Sequence, residues 1–181
     1  MDDVPVPDTD DLRTGAPIHD ALLALVPLVG SWRGTGVGAV PGEEREFRYA
    51  QQIEFTHDGR PFLAYAARSW LLDDTGALVR LAWRESGFWR PGAGPDDIEV
   101  VLASNTGQTL VLTGTAGDQQ WQLAATSVLG TPTSVDVDGE RRFYAVRQDE
   151  LHDATQLLYA TELAPGRRPF APHLNARLTR S

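Results

Sequence analysis

The fold is decided by the stretch at positions 47–55, which reads FRYAQQIEF. Four apolar residues, Phe47, Tyr49, Ile53 and Phe55, alternate there with charged, polar or small ones. A period of two is typical of a β-strand that buries one face and exposes the other. The stretch therefore predicts a strand of a sheet that covers a core.

The strand-like runs around this stretch are separated by turn signals rich in glycine, proline and aspartate, such as Asp58-Gly59 and Asn105-Thr106-Gly107. Besides the strand that follows Trp32, the runs lie at 62–72, 77–89, 98–103, 109–114, 121–127, 141–147, 155–163 and 174–180. No helical segment long enough for a parallel crossover lies between them. The pattern predicts an all-β fold of about ten antiparallel strands, closed into an up-and-down β-barrel because closure removes exposed edges.

Two different segments precede these strands. Residues 1–17 are rich in aspartate and proline and contain little to bury, which predicts a disordered acidic N-terminal tail. Apolar residues then recur at spacings of three and four from Ile18 to Val26. This spacing predicts a short amphipathic helix that ends before Pro27 or Gly30 and covers the barrel as a lid or plug.

Length and composition narrow the class of protein. At 181 residues the chain fits one folded domain, which we expect at 18–181. It has no cysteine, and its 16 basic residues are all arginine, which excludes disulfides, thiolate metal sites and lysine Schiff-base chemistry. The net charge of −9 disfavours nucleic acid and anionic membranes as partners. With an acidic N-terminus and no long apolar run, the sequence predicts a cytoplasmic protein.

The sharpest local motif is the GxWxGxG pattern formed by Gly30, Trp32, Gly34 and Gly36. It is not a nucleotide-binding loop, because a tryptophan interrupts it and a strand follows it. Glycines at alternate positions clear one face of a strand for the close approach of backbone or ligand, and Trp32 can close one end of the barrel. A barrel of about ten strands can hold one small ligand or be filled by side chains, and the architecture alone leaves both open.

Several motifs together resemble the nitrobindin family. They are the leader Leu25-Val26-Pro27-Leu28-Val29 running into GxWxGxG, the segments Arg60-Pro61-Phe62-Leu63 and Glu85-Ser86-Gly87-Phe88, and the terminal His173-Leu174-Asn175-Ala176-Arg177-Leu178. The resemblance extends from about residue 20 to the C-terminus. It implies a ten-stranded, calycin-like barrel related to fatty-acid-binding proteins, with haem b held at its open end.

The resemblance also implies a function. One haem b per subunit would be bound through its ferric iron by His173, which would be the catalytic, cofactor-binding and metal-binding residue. The protein would bind nitric oxide and isomerise peroxynitrite to nitrate, with these small molecules as its partners. Two alternatives stay open: a non-catalytic carrier of a fatty acid or another apolar ligand, and a family member that has lost haem.

His173 stands at the start of the last predicted strand. Strict alternation would turn its side chain away from the apolar face formed by Leu174, Ala176 and Leu178. Side chains follow the alternation between the two faces least strictly at the first residue of a strand, particularly after a proline. The remaining histidines are predicted to lie on the solvated surface; they are His19, His57 and His152.

The chain departs from the family at one position. The resemblance places a lysine where this sequence has Val135, and the candidate substitutes for binding a haem propionate are Arg141 and Arg142. Glu85 is predicted to be a structural hydrogen-bonding residue on a solvated face or at the rim. Trp89 is predicted to be an exposed aromatic that could mark an interface, and a homodimer is left open.

Overall fold

Ten strands lie in the part of the chain that the computed structural model describes, residues 7–43 and 45–181. They are β1 (Gly30–Ala39), β2 (Glu46–Thr56), β3 (Leu63–Leu72), β4 (Leu78–Pro91), β5 (Asp97–Ser104), β6 (Gln108–Gly117), β7 (Gln120–Gly130), β8 (Gly139–Asp149), β9 (Ala154–Ala164) and β10 (Ala171–Arg180). Each strand pairs antiparallel with its neighbours along the chain, and β1 pairs with β10 to close the barrel. The predicted ten-stranded up-and-down barrel is confirmed.

The alternating direction of the strands sorts their connections into two sets. Connections after β1, β3, β5, β7 and β9 lie at one end of the barrel, called the open end here, and the others lie at the opposite, closed end. The segment before β1 reaches the barrel at the closed end, where it adds a 3₁₀ helix at Asp20–Leu28. The two ends therefore differ in what covers them.

The 3₁₀ helix packs on the closed end through three leucines. Leu22, Leu25 and Leu28 are buried, and their spacing of three matches the three residues per turn of a 3₁₀ helix. The predicted short helix is thus present; it continues through Pro27 and ends at Leu28, which agrees with the second of the two predicted ends, before Gly30. Within the described ranges, no helix combines the length and apolarity needed to cross a membrane.

Two tryptophans tie this helix to the barrel. The indole N–H of Trp32 donates to the Leu28 carbonyl at 2.8 Å, and that of Trp121 donates to the Ala24 carbonyl at 3.0 Å. Both side chains are completely buried, and their polar atoms are satisfied by backbone groups of the helix. Trp32 therefore closes this end of the barrel, as the motif predicts.

The glycines of the GxWxGxG motif keep β1 free of side chains where other groups approach. A Cβ at Gly34 would collide with the Arg177 carbonyl of the adjacent β10. One at Gly36 would collide with the Asn175 carbonyl and with the ring of Tyr49. The predicted close approach of backbone to β1 is confirmed, and the glycines also make room for an aromatic ring inside the barrel.

The N-terminal segment contacts the closed end. Of the predicted acidic tail at 1–17, residues 1–6 lie outside the described part of the chain. Thr9 and His57 exchange two backbone hydrogen bonds, both 2.9 Å long, in an isolated antiparallel bridge. The side chain of His57 is buried, so its prediction as a solvated residue is wrong. The bridge places the N-terminal segment beside His57, next to the end of β2.

Candidate functional site

A cavity of about 810 Å³ opens at the end of the barrel opposite the 3₁₀ helix. This volume lies within the range of about 300–1,000 Å³ typical of small-molecule sites. Charged side chains stand on the connections after β1 and β3, at the mouth. The inner wall is mostly apolar and aromatic, and includes Phe47, Tyr49, Leu71, Trp83, Tyr159 and Leu174. The cavity suits an apolar ligand whose polar groups stay near the mouth.

His173 lines this cavity, on the side that strict alternation does not predict. The pairing of β10 with β9 shifts register between Pro172 and Leu174, which leaves His173 as the extra residue of a β-bulge. A bulge interrupts alternation, so His173 and Leu174 can both border the cavity although they are consecutive. The sequence signal for this departure is Pro172, which cannot donate a ladder hydrogen bond.

The hydrogen bond of His173 determines which ring nitrogen is available. Its Nδ1 lies 2.7 Å from the carbonyl oxygen of Ala39. Because a carbonyl can only accept, Nδ1 carries the proton and Nε2 keeps its lone pair. Among the described residues, Nε2 has no hydrogen-bond partner. The ring therefore offers an unprotonated nitrogen from the cavity wall.

The surroundings of His173 keep it neutral. Burial lowers its pKa, the Ala39 hydrogen bond opposes that effect, and the positive charge of Arg142 lowers the pKa further. The ring of Phe47 packs against the imidazole with a centroid separation of 6.5 Å. A neutral imidazole whose other nitrogen is oriented by a backbone carbonyl is the usual state of a metal-ligating histidine.

A buried ion network lies in the barrel wall beside the cavity. Arg142 donates to both carboxylate oxygens of Glu85, with Nη2 2.8 Å from Oε2, and its Nε lies 2.6 Å from Glu140 Oε1. The Tyr65 hydroxyl donates to Glu85 at 2.7 Å. Burial raises the pKa of Glu85, while Arg142 opposes this effect. Glu85 is the predicted structural hydrogen-bonding residue, but its prediction as a solvated group is wrong because Arg142 compensates its charge inside the barrel.

The two arginines predicted to replace the absent lysine serve other contacts. Arg142 is fully buried and committed to Glu85 and Glu140, so that prediction is wrong. Arg141, its neighbour in sequence, is exposed; it lies 3.6 Å from Glu162 and its guanidinium stacks 3.9 Å from the ring centre of Phe170. Neighbours in a strand face opposite ways, which explains the contrast between the two arginines.

Other residues line the mouth. Arg80 of β4 stands opposite the cavity-lining Leu71 and is itself part of the lining. The sequence does not indicate this role, because β4 shifts register on both sides of the Leu71–Arg80 pair and its alternation is broken. Val135, where the resemblance implies a lysine, also lines the mouth, and its carbonyl accepts a hydrogen bond from Gln108 Nε2 at 2.9 Å.

The other sequence candidates lie away from the cavity. His19 caps the 3₁₀ helix by accepting a backbone hydrogen bond, and the exposed His152 lies 2.9 Å from Asp149. Trp89 is completely buried among aromatic rings, so its prediction as an exposed interface residue is wrong. In the described part of the chain, no group of three or more histidines and carboxylates could hold a metal ion by itself.

The residues that line the cavity fit a haem group. His173 offers a neutral nitrogen for iron, and the aromatic and aliphatic wall suits a large apolar ring. Arg80 lines the cavity near the start of β4, and its guanidinium suits the carboxylates of such a ligand. The sequence offers no cysteine and, beyond Met1, no methionine as an alternative axial ligand.

Comparisons with known proteins agree with this geometry. Residues 21–180 match the family model described as THAP4-like, heme-binding beta-barrel domain. The chain is 39% identical to the peroxynitrite isomerase of Salinispora arenicola, over 99% of its own length and 90% of the relative's. It is 43% identical to that of Streptomyces griseus, over 97% and 92% of the two chains. The crystal structure of Rv2717c from M. tuberculosis matches with a TM-score of 0.76 and 30% identity, over 91% of this chain and 99% of that one.

Proposed function

The chain belongs to the family of THAP4-like, haem-binding β-barrel domains, and on that premise we propose that it holds haem b through His173 and isomerises peroxynitrite to nitrate. In this proposal, residues 18–181 form the haem-binding domain and bind one haem per chain, and residues 1–17 are the acidic N-terminal tail. Nitric oxide is included as a second small ligand of the same site. The acidic, cysteine-free composition supports a cytoplasmic location.

The observation that carries the proposal is the state of His173. It lines the cavity at a bulge, a backbone carbonyl accepts its Nδ1 proton, and its Nε2 keeps an unshared lone pair. A surface histidine would need none of these features. Together they would supply a single, neutral nitrogen ligand for haem iron in an apolar site.

Each part of the site has a separate task. When bound, ferric haem supplies the iron centre at which peroxynitrite rearranges to nitrate. The hydrogen bond to Ala39 keeps the His173 ring in one orientation and one tautomer. Apolar walls such as Trp83 and Leu71 exclude water and restrain reactive fragments within the cavity. Arg80 would bind a carboxylate of the haem at the mouth.

A carrier of fatty acids is a weaker alternative. A carboxylate taken into the barrel would need a cationic partner, and the buried Arg142 already binds Glu85 and Glu140. An incoming fatty acid would have to displace one of these internal carboxylates. The interior cation Arg142 is thus already neutralised by carboxylates of the barrel itself. This favours an apolar ring whose carboxylates stay at the mouth over a fatty acid whose carboxylate enters the barrel.

Titration of the purified protein with haemin tests the proposal. We expect a Soret band of bound ferric haem, conversion of peroxynitrite to nitrate faster than with free haemin, and loss of the band in His173→Ala. His152→Ala is the matched control, since that histidine is exposed and distant from the cavity, and it should behave as the wild type. A His173→Ala spectrum identical to that of the wild type would exclude His173 as the ligand. If the spectrum of haemin stays the same when any of these proteins, including the wild type, is added, haem binding is excluded.

A further inference from the structure

The bulge at His173 is held from both neighbouring strands. On the β1 side, the His173 ring donates to the Ala39 carbonyl at 2.7 Å. On the β9 side, the backbone N–H of Leu174 donates to the side-chain Oγ1 of Thr161 at 3.2 Å. Side chains therefore take over hydrogen bonds that the backbone ladder would make in a regular strand.

The register shows why the second contact matters. Thr161 stands opposite Leu174, and the next residue of β9, Glu162, stands opposite Pro172. The two β9 residues are consecutive, whereas the two β10 residues opposite them are separated by His173. His173 therefore has no partner on β9. Pro172 has no N–H to donate, so the Leu174 N–H ties β10 back to β9 directly after the bulge.

The hydroxyl of Thr161 is suited to this task by its position. Thr161 is 4% exposed and lines the cavity. Valine has nearly the same shape but cannot accept a hydrogen bond, so it would leave the half-buried Leu174 N–H without this partner. The strand could recover a partner by returning to regular alternation, which would turn His173 out of the cavity.

We propose that Thr161 is a positioning residue: by accepting the Leu174 N–H it holds the bulge, and the bulge holds the His173 imidazole in the cavity. The inference rests on the proposed role of His173 as haem ligand. Thr161 acts through the backbone of the following strand and donates nothing to the iron. It adds a positioning partner on β9 to the Ala39 carbonyl on β1.

The test compares Thr161→Val, which removes the acceptor, with Thr161→Ser, which keeps it. Thr155→Val is the matched control, because Thr155 lies at the closed end of the same strand, where its hydroxyl bonds Gln148. Each full-length protein is studied without haem by NMR, for the hydrogen-bonded Nδ1 proton of His173 and its proximity to the Phe47 ring. Each is then titrated with haemin.

We expect Thr161→Val to lose the protected Nδ1 proton and to bind haemin about tenfold more weakly, as happens when a partner that orients a metal ligand is removed. Thr161→Ser and Thr155→Val should keep both properties. If Thr161→Val keeps the Nδ1 proton and the wild-type affinity, the inference is wrong. If it loses the proton but binds haemin as the wild type does, Thr161 positions His173 and the proposed role of His173 as haem ligand fails instead.

Discussion

The two ends of this barrel are built from the same ten strands and have opposite properties. At the closed end, Leu22, Leu25 and Trp32 are buried completely or almost so beneath a 3₁₀ helix. At the open end, Phe47 and His173 are half-buried around a cavity of about 810 Å³. The 3₁₀ helix covers the closed end, and register shifts interrupt the pairing of β4 and β10 at the open end, so both features distinguish the two ends.

The contrast separates stability from function. A side chain in a filled interior makes van der Waals contacts on all sides, whereas a side chain that lines an open cavity has no contacting atoms on one side. The open end therefore contributes less to stability for each apolar residue, and it leaves space for a ligand. Between the two lies the buried network of Arg142, Glu85 and Glu140, which must keep its charges balanced without water.

The largest effect is expected from Arg142→Met. Removing the cation leaves Glu85 and Glu140 buried without a cationic partner, and breaking a buried pair in this way costs about 3–5 kcal/mol of the free energy of unfolding at neutral pH. Arg141→Met, one residue away, removes only an exposed pair with Glu162 and should cost less than about 1 kcal/mol. Urea unfolding of both variants measures the difference.

The pH dependence of Arg142→Met has a definite sign. Burial already raises the pKa of Glu85, and removing Arg142 raises it further because Arg142 holds it down. A carboxyl with a raised folded pKa contributes stability that is complete below its unfolded pKa and is lost as the pH rises through the folded value. The deficit of the variant should therefore shrink as the pH falls from 7 towards the ordinary pKa of glutamate. A deficit that grows in acid would contradict the assignment of this network as a buried ion pair.

These buried charges also show where sequence reasoning stops. Alternation and turn residues are local, so they predict the strands well; the run at 62–72, for example, corresponds to Leu63–Leu72. Glu85 and Arg142 are 57 residues apart, and nothing local indicates that they meet. The available signal was the shared period of Arg142 with Tyr144 and Val146, which places the arginine on an inward face.

The sequence predicts only part of the candidate site, because the rest depends on contacts between distant segments. Family resemblance identifies His173 from its motif, but strict alternation places it on the wrong face, because a bulge depends on how β10 meets β9. Neighbouring turn residues predict that Trp89 and His57 lie on the surface, whereas packing against distant segments buries both. What the sequence could not provide was each side chain's partner across the barrel.

A matched pair of leucines compares the two ends directly. Leu25→Ala at the closed end should cost about 2–4 kcal/mol, since it opens a void in a filled region. Leu71→Ala at the open end should cost only about 1 kcal/mol, because the half-buried Leu71 already borders open space. Haemin affinity should change in the opposite order, weakening in Leu71→Ala and staying unchanged in Leu25→Ala.

Unfolding curves and haemin titrations of the same two preparations provide both measurements, at a temperature at which each variant is folded. Equal losses of stability would show that the open end is packed as tightly as the closed end. A fall of haemin affinity in Leu25→Ala alone would place the ligand near the 3₁₀ helix and would reverse the comparison.

The smallest effect is expected from Val135→Lys, which introduces a lysine at the mouth where the family resemblance implies one. Val135 is 66% exposed and lines the cavity, so an ammonium group there can reach a carboxylate of bound haemin. An exposed ion pair contributes about 0.2–1 kcal/mol, which corresponds to haemin binding about 1.4- to fivefold tighter at low salt, and screening should remove the gain at high salt. Leu129→Lys is the control, since it has the same exposure outside the cavity lining and adds the same charge. A gain that persists with the dimethyl ester of haemin, or that Leu129→Lys reproduces, would mean that the added net charge acts at a distance and that the propionates do not meet position 135.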